Sequence, residues 1–164
     1  QPDQLEGKIM VTTVKQALNT LPDKRTTTAL KAAFDRQFPA EIVTATRTLT
    51  ADDNGSILFL NSATEFVTTL PLPAKGLRFT FIVTAAPSGA NYTVVTAGSA
   101  NIIVGMQNSV AGDAGDTGTT DDTISFVSGS SLPGDKVDVV SDGTNWFAHA
   151  ISKVAAAITF TTAS

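Results

Sequence analysis

Cysteine is absent from this sequence of 164 residues. Its absence excludes disulfide bonds, zinc sites with cysteine ligands and cysteine nucleophiles. The chain has one histidine, one tryptophan and one tyrosine, so histidine-based catalysis has a single candidate residue. No apolar run approaches the ~18 residues of a membrane span. The opening QPDQLEGKIM lacks the basic-then-apolar order of a secretory signal, so we expect no membrane partner.

Charge is also scarce. Charged residues make up 16% of the chain, against about 25% in average soluble domains. The formal net charge is −4 and no dense basic cluster is present, which argues against a nucleic-acid partner. Hydrophobic residues reach 42%, enough for a folded domain with a core. A surface of Thr, Ser, Asn and Gly repels neighbours weakly and suits packing against other proteins.

Residues 1–40 predict an N-terminal arm. The arm is expected to be helical or extended and to contain short helices. Thr26–Thr28 offer capping hydroxyls before ALKAAFDRQF, which is rich in helix formers, and Pro39 ends that helix. Its apolar stripe, at i, i+4 and i+8 spacing, consists of Leu30, Phe34 and Phe38. A short helix buries little alone, so we expect the stripe to reach beyond its own domain. Packing on the chain's own β-domain is the alternative.

The arm also carries a group of basic side chains. The group includes Arg25, Lys31 and Arg36, whereas aspartate dominates the rest of the chain. These side chains could meet an acidic partner surface. A solvated helix face is the alternative interpretation.

Residues 41–164 predict an all-β domain. Short apolar runs alternate with Gly, Pro, Asn and Asp turns at spacings of ~8–12 residues, which favours an antiparallel, jelly-roll-like β-sandwich or barrel. KGLRFTFIVTAA gives the clearest period of two, with Phe79, Phe81 and Val83 facing one way.

The sole tryptophan follows a predicted hairpin. SDGT separates KVDVV from NWFAHA, and Gly143 suits the turn conformation. A period of two places Trp146, Ala148 and Ala150 on one face. The opposite face holds Asn145, Phe147 and His149. We expect the indole of Trp146 to pack in the core or at a subunit contact with its N–H near an acceptor; an exposed ligand platform is the alternative.

No residue pattern makes a positive case for catalysis. Ser152 and Asp142 are near His149 in sequence, but no spacing selects either as a catalytic partner, which favours a surface or interface histidine. Carboxylate pairs of the glycosidase type are conceivable at Asp135 and Asp138, and also at Asp52 and Asp53. Neither pair sits in a recognisable pocket pattern, and both flank turns. The sequence therefore gives no positive case for an enzyme, and we predict no enzyme and no cofactor.

One acidic loop resembles a metal site in composition. The loop AGDAGDTGTTDDTIS holds hard oxygen ligands of the kind that Ca²⁺ accepts, at Asp113, Asp116, Asp121 and Asp122. The spacing does not match an EF-hand, and a solvated loop accounts for the same residues. We therefore predict no metal.

Two segments together resemble a known module. The first is LTADDNGSILFLNSATEFVTTLPLPAKGLRFTFIVTAAPSGANYTVVTAG, and the second is LPGDKVDVVSDGTNWFAHAIS. Both are similar to a β-rich module of tailed-bacteriophage virion proteins, found in head decoration (cement) proteins and in some fibre and tail-spike segments. Matching positions in the first segment are Thr50, Asp53, Gly55, Leu70, Pro71, Gly76, Leu77, Phe79 and Phe81. Those in the second are Gly134, Asp135, Val137, Asp142, Gly143, Asn145 and Trp146.

The resemblance covers roughly residues 47–152. It implies a homotrimeric structural module that catalyses no reaction. The short chain favours a decoration protein that binds the major capsid protein on the outer virion surface after assembly in the host cytoplasm. The contacts would be Leu30, Phe34, Phe38, Arg25, Lys31, Arg36 and Trp146. A phage tail-fibre or receptor-binding module that recognises host polysaccharide is the first alternative. A cellular carbohydrate-binding or adhesion module and an unrecognised hydrolase follow it.

Overall fold

A computed structural model describes residues 39–62, 64–109 and 120–162. These residues belong to one compact unit that spans Phe38–Ser164. The first strand begins at Ala40, so the last residue of the expected arm already belongs to a sheet. The contacts expected from the arm lie outside the described residues: Leu30, Phe34, Phe38, Arg25, Lys31 and Arg36.

The described residues form two packed sheets, which confirms the predicted all-β fold; of the expected sandwich or barrel, the sandwich is found. In spatial order the larger sheet consists of β1 (Ala40–Val43), β3 (Ile57–Leu60), β5 (Arg78–Val83), β9 (Lys136–Ser141), β10 (Trp146–Ser152) and β7 (Ile103–Ser109). The smaller sheet consists of β11 (Ile158–Thr161), β8 (Thr123–Phe126), β6 (Tyr92–Val95), β4 (Phe66–Thr69) and β2 (Arg47–Thr48). Short 3₁₀ helices lie at Ala51–Asp53 and Ala97–Ser99.

Strand direction differs from the expected antiparallel, jelly-roll-like arrangement, because both sheets are mixed. From β1 to β8 the chain alternates between the two sheets, so each strand runs parallel to the one before it in the same sheet through β1–β3–β5 and β2–β4–β6. Antiparallel pairs then add β9 and β10 to one sheet and β8 and β11 to the other. Periodicity could not show this, because side chains alternate in both strand directions.

The core lies between the sheets and follows the alternation predicted for β5 and β10. Phe79, Phe81 and Val83 are buried, whereas Arg78, Thr80 and Ile82 face outward. The indole of Trp146 packs against Phe79, with ring centroids 5.9 Å apart. In the smaller sheet Phe66 stacks on Tyr92 at 4.5 Å. Burial of such large rings supplies much of the stability of a sandwich of this size.

The predicted hairpin joins β9 to β10. Gly143 has φ = 103°, which other residues resist. The carboxylate of Asp142 accepts hydrogen bonds from the backbone N–H groups of Thr144 and Asn145, both at 2.8 Å. These hydrogen bonds hold the turn that places β10 in register beside β9.

Candidate interaction surface

The most distinctive surface of the described residues is the outer face of the larger sheet, formed by side chains of β3, β5, β7, β9 and β10 that point away from the core. Strand register arranges them in rows across the sheet. One row reads Arg78, Val140, Phe147 and Val104. The next reads Ile57, Thr80, Asp138, His149 and Met106. We call this surface the outer sheet face.

A groove of about 740 Å³ runs over the outer sheet face, lined by these two rows. Its apolar side chains are open to solvent, with Met106 52% exposed, Val140 47% and Phe147 44%. Ile151, 42% exposed, lies on the same side of β10. Concave, largely apolar surfaces of this volume are typical of binding sites.

The polar centre of the groove is already paired. Thr80 Oγ1 donates to Asp138 Oδ1 at 2.7 Å, and Lys136 Nζ lies 2.8 Å from Asp138 Oδ2. Partial burial raises the pKa of Asp138, but the hydrogen bonds from Lys136 and Thr80 and the charges of Lys136 and His149 lower it below its usual value overall. A partner that covered the groove would therefore meet a compensated charge.

His149 lies in this groove, beside Asp138 in the register of β9 and β10. Its Nε2 is 3.4 Å from Asn108 Nδ2 on β7. Ser152, a neighbour of His149 in the sequence, lies on the opposite, buried side of β10, where its hydroxyl donates to the Val154 carbonyl. The carboxylate of Asp142 accepts hydrogen bonds within the hairpin turn. The structure therefore does not bring either of these neighbours to His149.

In each of the two carboxylate pairs, one member is hydrogen-bonded in a structural role. The buried carboxylate of Asp135 accepts the backbone N–H groups of Leu132 at 2.8 Å and Lys153 at 2.9 Å, so it joins two loops, whereas Asp138 faces outward.

In the second pair Asp52 is exposed, and Asp53 accepts from the Thr50 backbone N–H at 2.8 Å and from Arg47 Nη2 at 2.7 Å. Burial raises the pKa of Asp53, but these hydrogen bonds from Thr50 and Arg47 and the Arg47 charge lower it overall. Such bonding suits a structural role at the start of the 3₁₀ helix.

The acidic loop is described in part. Asp113 and Asp116 lie outside the described residues, and Asp121 and Asp122 are buried at the end that leads into β8. Asp122 Oδ1 accepts the hydroxyl of Thr123 at 2.6 Å. Within residues 39–62, 64–109 and 120–162, no group of three or more histidines and acids is placed to hold a metal ion. The absence of a metal in the whole loop stays a prediction.

Trp146, expected as a core residue or a subunit contact, is fully buried in the core of the sandwich, and its side chain does not form an exposed platform. The expected acceptor for its indole is not found, because Nε1 has no hydrogen-bond partner among the described residues. The ring lies on the inward side of β10 with Ala148 and Ala150, packed against Phe79, where the surroundings are apolar.

Sequence reasoning missed the exposed apolar side chains. Val140, Phe147 and Ile151 occupy outward positions of β9 and β10 where a half-exposed strand normally carries polar residues. The signal was present, since KVDVVS and WFAHAIS have apolar residues on both faces. A second omission is Leu72, which is 75% exposed in the connection between β4 and β5.

Comparisons with protein-family models, with curated proteins and with solved structures gave no significant match. The resemblance to a phage virion module therefore stays a prediction. In the part of the chain that the structure describes, no helix is both long and apolar enough to span a bilayer.

Proposed function

We propose that this chain is a bacteriophage structural protein, a head decoration (cement) protein that binds the outer capsid surface as a homotrimer and stabilises the shell. The observation that carries the proposal is the outer sheet face, where an apolar groove lies open on a sandwich scaffold. The resemblance of residues 47–152 to virion modules supplies the identity of the partner, the major capsid protein.

The chemistry of the surface supports adhesion. Phe147, Met106 and Arg78 belong to the residue types that are enriched in protein interfaces. The charge of Asp138 is paired within the groove, so contact with a protein partner would not leave a buried ion unpaired. With 16% charged residues, many copies can crowd on one shell with little mutual repulsion.

Repetition on a lattice makes weak contacts sufficient. Each contact contributes apolar burial, at about 25 cal/mol per Å² before entropic costs. A trimer that engages three equivalent positions gains affinity through effective concentration, without new kinds of contact. A threefold oligomer also matches the local symmetry of an icosahedral shell.

The test is binding of the purified chain to expanded phage heads that lack decoration. We expect it to co-sediment with the heads at saturable occupancy and to raise the temperature at which they release DNA. Unexpanded proheads serve as the control. A chain that leaves expanded heads bare at micromolar concentration would contradict the proposal. Heads from several tailed phages should be compared.

The second candidate function is recognition of host polysaccharide by a tail-fibre or receptor-binding module. The exposed ring of Phe147 beside the polar groups of Asp138 and His149 favours it, since sugars stack on aromatic rings and hydrogen-bond to such groups. Micromolar binding on a glycan array, lost in Phe147→Ala and retained in Leu132→Ala, would favour this function. Binding to undecorated heads without glycan binding would favour decoration.

A further inference from the structure

We propose that the Asn54–Gly55 pair is a modification site, at which the asparagine converts to aspartate or isoaspartate when the corner between β3 and β5 opens. The inference goes beyond the proposed function and involves no partner. Asn–Gly occurs once in the sequence, at residues 54–55, and Asn54 is exposed to solvent. In the folded chain two hydrogen bonds to Arg78 hold the pair closed.

The reaction needs only the chain and water. The backbone nitrogen of Gly55 attacks the side-chain carbon Cγ of Asn54, and the new C–N bond closes a five-membered succinimide. The proton of that nitrogen leaves with the side-chain NH₂ group as ammonia. Water then opens the ring, giving aspartate when the N–Cγ bond breaks and isoaspartate when the bond to the main-chain carbonyl carbon breaks. Glycine favours ring closure because no Cβ atom crowds the attacking nitrogen.

Arg78 binds both groups that ring closure needs. Asn54 Oδ1 accepts the Arg78 N–H at 2.8 Å, and the Gly55 N–H donates to the Arg78 carbonyl at 2.9 Å. Two residues further along, the Thr80 N–H donates to the Ser56 carbonyl at 3.0 Å. Asn54 Oδ1 therefore stands in for the next main-chain acceptor of the parallel β3–β5 ladder. We call the two hydrogen bonds to Arg78 the Arg78 clasp.

The backbone conformation of Asn54 also keeps the reacting atoms apart. A five-membered ring requires Cβ and the Gly55 nitrogen to be nearly eclipsed about the Cα–C bond of Asn54. In the folded chain ψ of Asn54 is 132°, which turns the two atoms well away from each other. Rotation into the reactive conformation would move the Gly55 N–H off the Arg78 carbonyl, so the clasp must break first. Conversion therefore follows local opening of this corner.

The chain offers a matched control without the clasp. Gly89 has φ = 89°, close to the 84° of Gly55, and follows Ser88 in an exposed turn. Within residues 39–62, 64–109 and 120–162, the N–H of Gly89 has no hydrogen-bond partner. The Ser88→Asn variant therefore has a second Asn–Gly pair in which the glycine conformation is similar and the nitrogen is unbound.

The test measures conversion at both positions in the full-length Ser88→Asn chain. The chain is kept at mildly alkaline pH in water enriched in heavy oxygen, and peptide mapping by mass spectrometry gives the two rates. For each position, protection is the ratio of the rate in guanidinium chloride to the rate in the folded chain. We expect protection at Asn54 to exceed protection at position 88 at least tenfold. Equal protection, or conversion of Asn54 at the same rate in the folded and unfolded chain, would overturn the proposal.

A second measurement examines the product. Isoaspartate at position 54 adds a methylene group to the main chain, so the ladder next to Arg78 loses its register. The isoaspartyl form, which has one more negative charge than the formal −4 of the chain, is purified by ion exchange. Its matched control is Asn54→Asp, which has the same charge and an acceptor oxygen but a normal main chain. We expect the isoaspartyl form to unfold at a lower guanidinium concentration, and coincident unfolding curves would overturn the ladder contact assigned to Gly55.

Both measurements use the purified chain without phage heads. A chain that does not attach to heads but shows the protection at Asn54 would overturn the decoration proposal alone. A chain that attaches to heads but lacks the protection would overturn the modification site alone.

Discussion

Gly105 on β7 faces Phe160 on β11 across the core. A Cβ atom built on Gly105 would lie 2.5 Å from the ring of Phe160, far inside van der Waals contact. Glycine is therefore required here by the space that the ring occupies. The partly buried ring of Phe160 in turn packs against the core cluster that contains Trp146. The missing side chain at Gly105 thus leaves the space in which the ring of Phe160 packs between β7 and β11.

We expect Gly105→Ala to destabilise the fold by about 1–3 kcal/mol, because the added methyl must displace an aromatic ring in a packed core. Urea unfolding followed by the fluorescence of Trp146 measures the change. The control is a double-mutant cycle with Phe160→Ala, in which the cost of Gly105→Ala should largely disappear. Additive effects in the cycle would show that the ring is not the source of the strain.

The β9–β10 hairpin links the core to the outer sheet face. Its strands present Trp146 inward and Phe147 outward from adjacent positions, so one element supplies both the largest core residue and part of the groove. Backbone N–H groups of Asn145 and Thr144 donate to the carboxylate of Asp142 and lower its pKa below the ordinary value of 3.8. The turn therefore favours the ionised carboxylate.

This shift predicts a pH dependence of stability. With a folded-state pKa below the unfolded value, the carboxylate of Asp142 stabilises the fold fully above the unfolded pKa of 3.8, and this contribution is lost as the pH falls through the folded pKa. Asp142→Asn keeps an acceptor oxygen in the turn but cannot titrate. We expect the variant to lose less stability than the parent between pH 5 and 2.5, in urea titrations at about five pH values.

Asp53 and Asp138 also have lowered pKa values, so an acid-dependent loss of stability remains in the Asp142→Asn variant. The matched control is Asp52→Asn, which changes the same charge at an exposed aspartate. Parallel curves for the parent and Asp142→Asn would contradict the role assigned to the turn.

At the scale of the whole molecule, the sandwich is a compact unit with a complete core, and its first strand begins at Ala40. The Pro39 carbonyl accepts the Ile57 N–H at 2.9 Å, so a truncation that spares the sheet must end before Pro39. The compact unit that contains the sandwich begins at Phe38. Residues 1–37 hold most of the predicted arm, including Leu30, Phe34 and the basic group.

We expect deletion of residues 1–37 to leave a folded sandwich that attaches poorly to expanded heads, because the arm is predicted to supply contacts beyond its own domain. Circular dichroism and thermal unfolding report the fold, and co-sedimentation reports attachment. The combined change Leu30→Ser and Phe34→Ser in the full chain is the companion variant. Unchanged occupancy in both would show that the arm is not an anchor, and an unfolded truncation would contradict the independence of the sandwich.

Much of this architecture could be predicted from short-range patterns. The period of two in β5 and β10 and the turn at Gly143 are local properties, and the structure confirms them. The groove could not be predicted, because it forms where Thr80, Asp138 and Met106 come together from strands far apart in sequence. Local patterns also could not predict that the indole N–H of Trp146 has no partner among the described residues, because the ring packs against Phe79 from a distant strand.

The sequence by itself determined that the described domain is all-β and which residues of β5 and β10 share a face, because alternation and turn chemistry act between neighbouring residues. Tertiary structure alone decided that successive strands cross between the sheets and pair in parallel, since that choice depends on where each connection leads. It also decided that apolar side chains of three separate strands meet in one exposed groove, because strand register is set by the packing of the whole core.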